Sequence, residues 1–148
     1  MAGTASPVDR SGTAEAAAGA EPVRGGHVLL VDDEEPLLFL ASRLLGRLGH
    51  RVTTFASPSE ALEAFRSRPG AFDLVVTDVT MPGMSGFDLA GSVLAVRPGM
   101  PVVITSGCVR PEDEERAARI GVRAVIAKPN TMDELARTLD AIFRGLPG

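Results

Sequence analysis

Polar residues of related chemistry stand where short apolar runs end. Asp32-Asp33 follow His27–Val31, Asp78 follows Phe72–Thr77, Thr105-Ser106 follow Pro101–Ile104, and Lys128 follows Arg123–Ala127. Three carboxylates brought together repel, and at least one is pushed toward its protonated form unless a cation compensates. Magnesium meets that need, because it takes oxygen ligands in octahedral array, keeps several waters, and is typically held by one or two carboxylates with a phosphoryl oxygen. A carboxylate such as Asp78 is also a competent nucleophile for forming an aspartyl phosphate. Phosphoryl transfer asks mainly for charge neutralisation and in-line positioning, which magnesium on one side and Lys128 on the other would supply. Singly, each residue has an ordinary explanation: aspartates are common after strands and as helix caps, and lysines are common on surfaces. The chemistry therefore depends on whether the fold gathers them.

Beyond residue 24, short apolar runs alternate with amphipathic segments, the pattern of repeated βα units around a parallel sheet. Strands are expected at His27–Val31, Arg51–Phe55, Phe72–Thr77, Pro101–Ile104 and Arg123–Ala127. The most continuous apolar runs among them suit strands covered on both faces. The first helix is expected over Glu35–Leu48, where Leu37, Leu38, Leu40, Ala41, Leu44, Leu45 and Leu48 recur at mostly helical spacing and Gly49 ends the run. The second opens at a Ser57-Pro58-Ser59-Glu60 capping box with proline at the first helical position. A third is expected near Phe87–Val96 and a fourth at Pro111–Ile120, with Gly121 behind it. The fifth starts from a Thr131-Met132-Asp133-Glu134 capping box and turns Leu135, Leu139, Ile142 and Phe143 to the sheet. In an open parallel sheet, ligands bind outside the carboxyl ends of the strands where strand order reverses. With the order 2-1-3-4-5, strands 1 and 3 flank that point, and Asp32, Asp33, Asp78 and Lys128 converge there.

Composition narrows the function further. The 148 residues suit one domain, large enough to bury a core without disulfides or structural metal. Residues 1–24, mostly small and polar with no apolar periodicity, are expected to form a disordered tail ahead of one folded domain over residues 25–146. No run approaches the ~20 apolar residues of a membrane span, and the N-terminus lacks the apolar centre of a secretory signal, so a cytoplasmic protein is expected. A net charge of -4 with scattered arginines leaves no footprint for nucleic acid. Cys108, the one cysteine, can form no internal disulfide and is expected to serve as packing. His27 and His50 have no triad or metal spacing around them and are expected to be structural or solvent-facing. The stretch Glu112-Asp113-Glu114-Glu115 reads as a solvated first turn favoured by the helix dipole, not as a metal site.

Four signatures in chain order resemble those of response-regulator receiver domains, the CheY-like modules of two-component signalling. They are Leu29-Leu30-Val31-Asp32-Asp33-Glu34, Asp78-Val79-Thr80-Met81-Pro82-Gly83, Thr105-Ser106-Gly107 and Lys128-Pro129. Each is weak alone, but four at successive strand ends are specific, and the likeness spans residues 26–146. The resemblance implies a flavodoxin-like α/β fold, a five-stranded parallel sheet in the order 2-1-3-4-5 with helices on both faces. It implies that Asp78 accepts a phosphoryl group from a histidine kinase or histidine phosphotransfer protein, and that Asp32, Asp33 and Asp78 bind Mg2+ with the backbone carbonyl of Thr80. Thr105 would hydrogen-bond the phosphoryl group, Lys128 would pair with it, and the Lys128-Pro129 bond would be cis. Such a module is not an enzyme with turnover; it assists only its own phosphorylation and dephosphorylation.

Departures from the family pattern carry expectations of their own. Val125 stands where receivers often carry Tyr or Phe, which excludes an aromatic rotamer switch, and Asn130 stands where an aromatic residue often follows. Gly107 has no side chain to shield an acyl phosphate, so a short phosphorylated lifetime is expected. A nucleotide or flavin binder of the same fold class is disfavoured by the first βα turn, where Val31-Asp32-Asp33-Glu34-Glu35 would repel a phosphate in the absence of a metal. An aspartyl phosphatase typically carries a second acid two residues after its nucleophile, where this chain has Thr80. The remaining alternative is a phosphorylation-independent protein-docking module. No DNA-binding, kinase or cyclase segment follows the fifth helix, so output is expected through contact with a protein target or through relay of the phosphoryl group. The Met81-Pro82-Gly83-Met84-Ser85-Gly86 loop and the Thr105-Ser106-Gly107 turn are similar to those of receivers attached to hybrid sensor kinases, which favours relay or a kinase-linked role.

Overall fold

The computed structural model describes residues 26–127 and 131–145. Lys128, Pro129, Asn130 and the expected tail over residues 1–24 lie outside these residues. In chain order the elements are β1 (His27–Val31), α1 (Glu35–Arg47), β2 (Arg51–Phe55), α2 (Pro58–Ser67), a 3-10 turn (Pro69–Ala71), β3 (Leu74–Asp78), α3 (Gly86–Val96), β4 (Val102–Ser106), α4 (Pro111–Ile120), β5 (Ala124–Ala127) and α5 (Thr131–Gly145). All strand pairs are parallel and the order is β2-β1-β3-β4-β5, as expected.

Alternation along the strands divides the core into two layers. Leu29, Val31, Val75, Val102 and Ile104 point to one face, where Ala61, Leu62 and Phe65 of α2 and Phe87, Leu89, Ala90 and Val93 of α3 cover them. Val28, Leu30, Leu74, Val76, Val103 and Ile126 point to the other, under Leu38, Ala41 and Leu45 of α1 and Leu135, Leu139 and Ile142 of α5. Each fully buried Leu or Phe contributes roughly 1.5–3 kcal/mol relative to exposure. Only one face of α1 can reach the sheet, so Leu40 and Leu48 of the apolar run are exposed, at 54% and 42%. No helix among the described residues is long and apolar enough to cross a membrane.

Two strand boundaries move toward the carboxyl edge. β3 spans Leu74–Asp78 instead of Phe72–Thr77, and β4 spans Val102–Ser106 instead of Pro101–Ile104. Pairing continues past the apolar run because Asp78 is in register with Thr105, and the Val79 N–H then donates to the Thr105 carbonyl at 2.8 Å. Asp78 and Thr105 are thus ladder residues, held by the sheet itself.

Helix starts follow the local chemistry. The Ser57 hydroxyl accepts the Glu60 N–H at 3.3 Å, one half of the capping box expected on α2. α3 carries a complete capping box that the sequence reading left out: the Ser85 hydroxyl accepts the Asp88 N–H, and the Asp88 carboxylate accepts the Ser85 N–H. α4 starts at Pro111 with Glu112, Asp113 and Glu114 in its first turn, and Gly121 ends it at φ 105°, where a side chain would be strained.

Candidate functional site

The carboxyl edge of the sheet gathers the acidic residues. Asp32 comes directly after β1, and its backbone N–H donates to the Phe55 carbonyl of β2 at 3.2 Å, so the ladder still holds it. Its Oδ1 accepts the Glu34 N–H at 2.9 Å, an Asx-type turn that redirects the chain into α1. Asp78 ends β3, between β1 and β4. Asp32 and Asp78 are buried and Asp33 is exposed, and one carboxylate oxygen from each lies within 4.8 Å of the other two. No other group of three or more metal-ligating side chains occurs among the described residues. Glu112, Asp113 and Glu114 stand in the first turn of α4, as expected, with Asp113 accepting the Arg110 N–H at 3.1 Å.

This donor set fits a small hard cation. Oxygen ligands about 2.0–2.1 Å from magnesium lie roughly 3–4 Å from one another, close to the spacing of this grouping, whose oxygens lie within 4.8 Å. Three carboxylates on one edge also constitute a concentration of negative charge that a cation relieves.

The hydroxyl side of the site is equally well placed. Thr105 is buried and pairs in register with Asp78 on the neighbouring parallel strand, so both side chains leave the same face of the sheet. Ser106, also buried, exchanges two bonds with Cys108: its Oγ accepts the Cys108 N–H at 3.2 Å and donates to the Cys108 carbonyl at 3.0 Å. That turn leaves Cys108 exposed, which corrects the expectation that it packs. Thr80 follows two residues after Asp78 at an exposed position. Lys128 lies outside the described residues, next to Ala127, which pairs in register with Ser106.

Thr77 and Gly86 both contact the backbone of Asp78. The Thr77 hydroxyl donates to the Asp78 carbonyl at 3.0 Å. Gly86, the first residue of α3, donates its N–H to the Val79 carbonyl at 2.8 Å and packs against the backbone of Asp78. No sequence pattern reveals these contacts: the first depends on the Thr77 rotamer and the second on where α3 docks.

The two histidines serve the opposite, amino-terminal edge. The Ala71 carbonyl, 2.9 Å from His27 Nδ1, can only accept, so Nδ1 carries the hydrogen and Nε2 takes the Thr53 hydroxyl at 2.6 Å. His50 is buried, stacks on Phe143 with ring centroids 5.0 Å apart, and accepts the Gly26 N–H at 3.4 Å. Desolvation by burial lowers the pKa of both rings below the ordinary 6.5. For His27, Arg51 lowers it further, while the Ala71 carbonyl and Asp73 oppose; for His50, Asp140 opposes. Both are structural, as expected.

Comparison with known proteins points one way. The family described as "Response regulator receiver domain" matches residues 28–140. The two-component response regulator ARR14 of Arabidopsis thaliana is 32% identical over 120 residues, 81% of this chain and 31% of that protein. The sensor histidine kinase AruS of Pseudomonas aeruginosa is 33% identical over 124 residues, 81% of this chain and 12% of that protein. The chain thus spans about a third or less of the curated relatives it matches. Among solved structures, the non-phosphorylated HemR receiver domain of Leptospira biflexa superposes with a TM-score of 0.77 at 29% identity, covering 83% of this chain and 97% of that one. The chemotaxis protein CheY4 of Vibrio cholerae gives a TM-score of 0.73 at 28% identity, covering 80% and 98%.

Proposed function

Because the chain belongs to the family of response regulator receiver domains, we propose that it accepts a phosphoryl group from a phosphohistidine partner on Asp78, with magnesium bound by Asp32, Asp33 and Asp78. One observation carries the proposal: three carboxylates from two adjacent strands meet at the carboxyl edge with their oxygens within 4.8 Å. A carboxylate oxygen of Asp78 attacks phosphorus, the P–N bond of the donor breaks, and the imidazole leaves with the electron pair and takes up a proton from solvent. Magnesium, when bound, neutralises charge on the phosphoryl oxygens. Asp32, Asp33 and Asp78 would hold the cation together with the Thr80 carbonyl, Thr105 would donate its hydroxyl to a phosphoryl oxygen, and Lys128 would pair with another. Water later attacks phosphorus, the P–O bond to Asp78 breaks, and inorganic phosphate leaves with Asp78 restored as the carboxylate.

In this reading residues 25–146 form the receiver and residues 1–24 a tail outside it. The module works in the cytoplasm, where it either docks on a protein target or passes its phosphoryl group to a second histidine. Similarity to a response regulator and to a sensor histidine kinase at nearly the same identity supports both roles. The test is labelling by a small phosphodonor such as acetyl phosphate. Stoichiometric, base-labile label that disappears when a chelator removes magnesium is expected; equal labelling with and without the chelator refutes the proposal.

A further inference from the structure

Two contacts converge on the Asp78 carbonyl. On the α2/α3 face the Thr77 hydroxyl donates to it at 3.0 Å, and the sulfur of Met81 lies 3.9 Å from the same hydroxyl. Gly86, the first residue of α3, makes the second contact. A Cβ on Gly86 would overlap the Asp78 carbonyl oxygen and would come to 2.9 Å from the Asp78 carbonyl carbon and 3.0 Å from Val79 Cα. These are backbone atoms, which cannot swing aside as a flexible side chain would. Gly86 is not one of the glycines with positive φ, so its conformation admits a side chain and only the space forbids one.

α3 cannot simply retreat. Its first turn is tied by the Ser85–Asp88 box and by the Gly86 N–H on the Val79 carbonyl, and Val79 is itself tied to Thr105. Phe87, Leu89, Ala90 and Val93 fix the helix against the core. An added methyl must therefore displace the end of β3.

We infer that Gly86 and Thr77 are positioning residues for the phosphoacceptor: the start of α3 sets where the Asp78 carboxylate stands, through the contact of Gly86 with the Asp78 carbonyl and the Thr77 hydroxyl bond to it. The inference rests on the reading of Asp78 as phosphoacceptor. A misplacement of about 1 Å at a reacting group can cost about 100-fold in rate.

The experiment compares the full chain with Gly86→Ala, Thr77→Val and Gly91→Ala. Gly91 lies five residues along the same helix with nothing within 4 Å of an added Cβ, and alanine is the better helix former there. Acetyl phosphate labelling is timed at saturating magnesium, below the unfolding transition of each variant; magnesium affinity is measured by calorimetry and exchange of the Val79 amide by NMR. Gly86→Ala is expected to label about 100-fold more slowly, to bind magnesium more weakly and to exchange Val79 faster. Thr77→Val, which keeps the branched shape, should label a few-fold more slowly, and Gly91→Ala at the parent rate. Parent-like labelling, magnesium affinity and Val79 exchange in Gly86→Ala overturn the inference, as does an equal loss in Gly91→Ala. If Gly86→Ala does not fold, a parent-like rate in Thr77→Val overturns it. If the parent itself is not labelled, the phosphoacceptor reading fails, and unchanged Val79 exchange in Gly86→Ala then rejects the positioning as well.

Discussion

The two ends of the sheet both carry buried polar residues, but they solve different problems. At the amino edge, donors and acceptors match: His27 bonds Ala71 and Thr53, Asp73 accepts the His27 N–H at 2.8 Å, and His50 sits between Gly26 and Phe143. At the carboxyl edge, like charges are collected instead, two of the three carboxylates being buried. Satisfied polar groups contribute to stability, whereas gathered carboxylates oppose it unless a cation joins them. The contrast separates the end that holds the fold together from the end that is built for chemistry.

The sharpest way to break that contrast is to neutralise the acidic pair. Asp32→Asn keeps an oxygen to accept the Glu34 N–H, so together with Asp33→Asn it should cut the labelling rate at least ~100-fold. The same double variant should unfold at the same or a higher temperature than the parent, because repulsion with Asp78 is relieved. Thermal melts and timed labelling read the two effects separately; a marked fall in stability with labelling retained would reverse the assignment of the two edges.

The reciprocal change is His27→Ala. It removes the partners of the Ala71 carbonyl and the Thr53 hydroxyl and should cost about 1–3 kcal/mol in urea unfolding, with labelling at low temperature unchanged. A loss of labelling in this variant, with the fold intact, would show that the edges are coupled.

Acid titration sharpens the comparison further. Both histidines have folded pKa values below the ordinary 6.5, so the unfolded chain binds more protons between the lowered values and 6.5. Stability therefore rises with pH across that window; it is fully present above 6.5 and is lost as pH falls below it. The slope, measured by urea unfolding from neutral pH downward, should flatten when His27 and His50 are both replaced by Gln. An unchanged slope would place the titrating groups elsewhere.

The smallest expected effect concerns the element behind the site. Ser85→Ala removes the hydroxyl that accepts the Asp88 N–H at 3.1 Å and should cost about 1 kcal/mol. Because Gly86 follows directly, labelling should slow a little as well, unlike in the otherwise comparable cap variant Ser57→Ala. Equal labelling in the two cap variants would argue that the start of α3 does not influence Asp78.

Much of this was legible in the sequence because the signals are local. Apolar runs such as Val28–Val31 mark strands, Pro58, Pro111 and Gly121 punctuate helices, and the three carboxylates expected to converge do so. The strand ends were misplaced by one or two residues because apolar character stops before pairing does: Asp78 and Thr105 are polar yet remain in the ladder. The Ser85-x-x-Asp88 box was readable but sat inside a loop identified by its glycines and prolines. Arg97 had no local signal at all. It pins the segment between α2 and β3 by donating from Nη1 to the carbonyls of Pro69 at 2.9 Å and Phe72 at 2.7 Å, contacts that span more than twenty residues of chain. The packing of Gly86 on Asp78 was hidden because it depends on how α3 docks.

The account stands most directly on the location of the label. The chain is exposed to acetyl phosphate with magnesium, the acyl phosphate is reduced with borohydride, and the modified residue is identified by peptide mass spectrometry. Modification at Asp78 alone, absent without magnesium and absent in Asp78→Asn with its fold preserved, is the predicted result. Modification at another residue, or persistent stoichiometric labelling of Asp78→Asn, would contradict it.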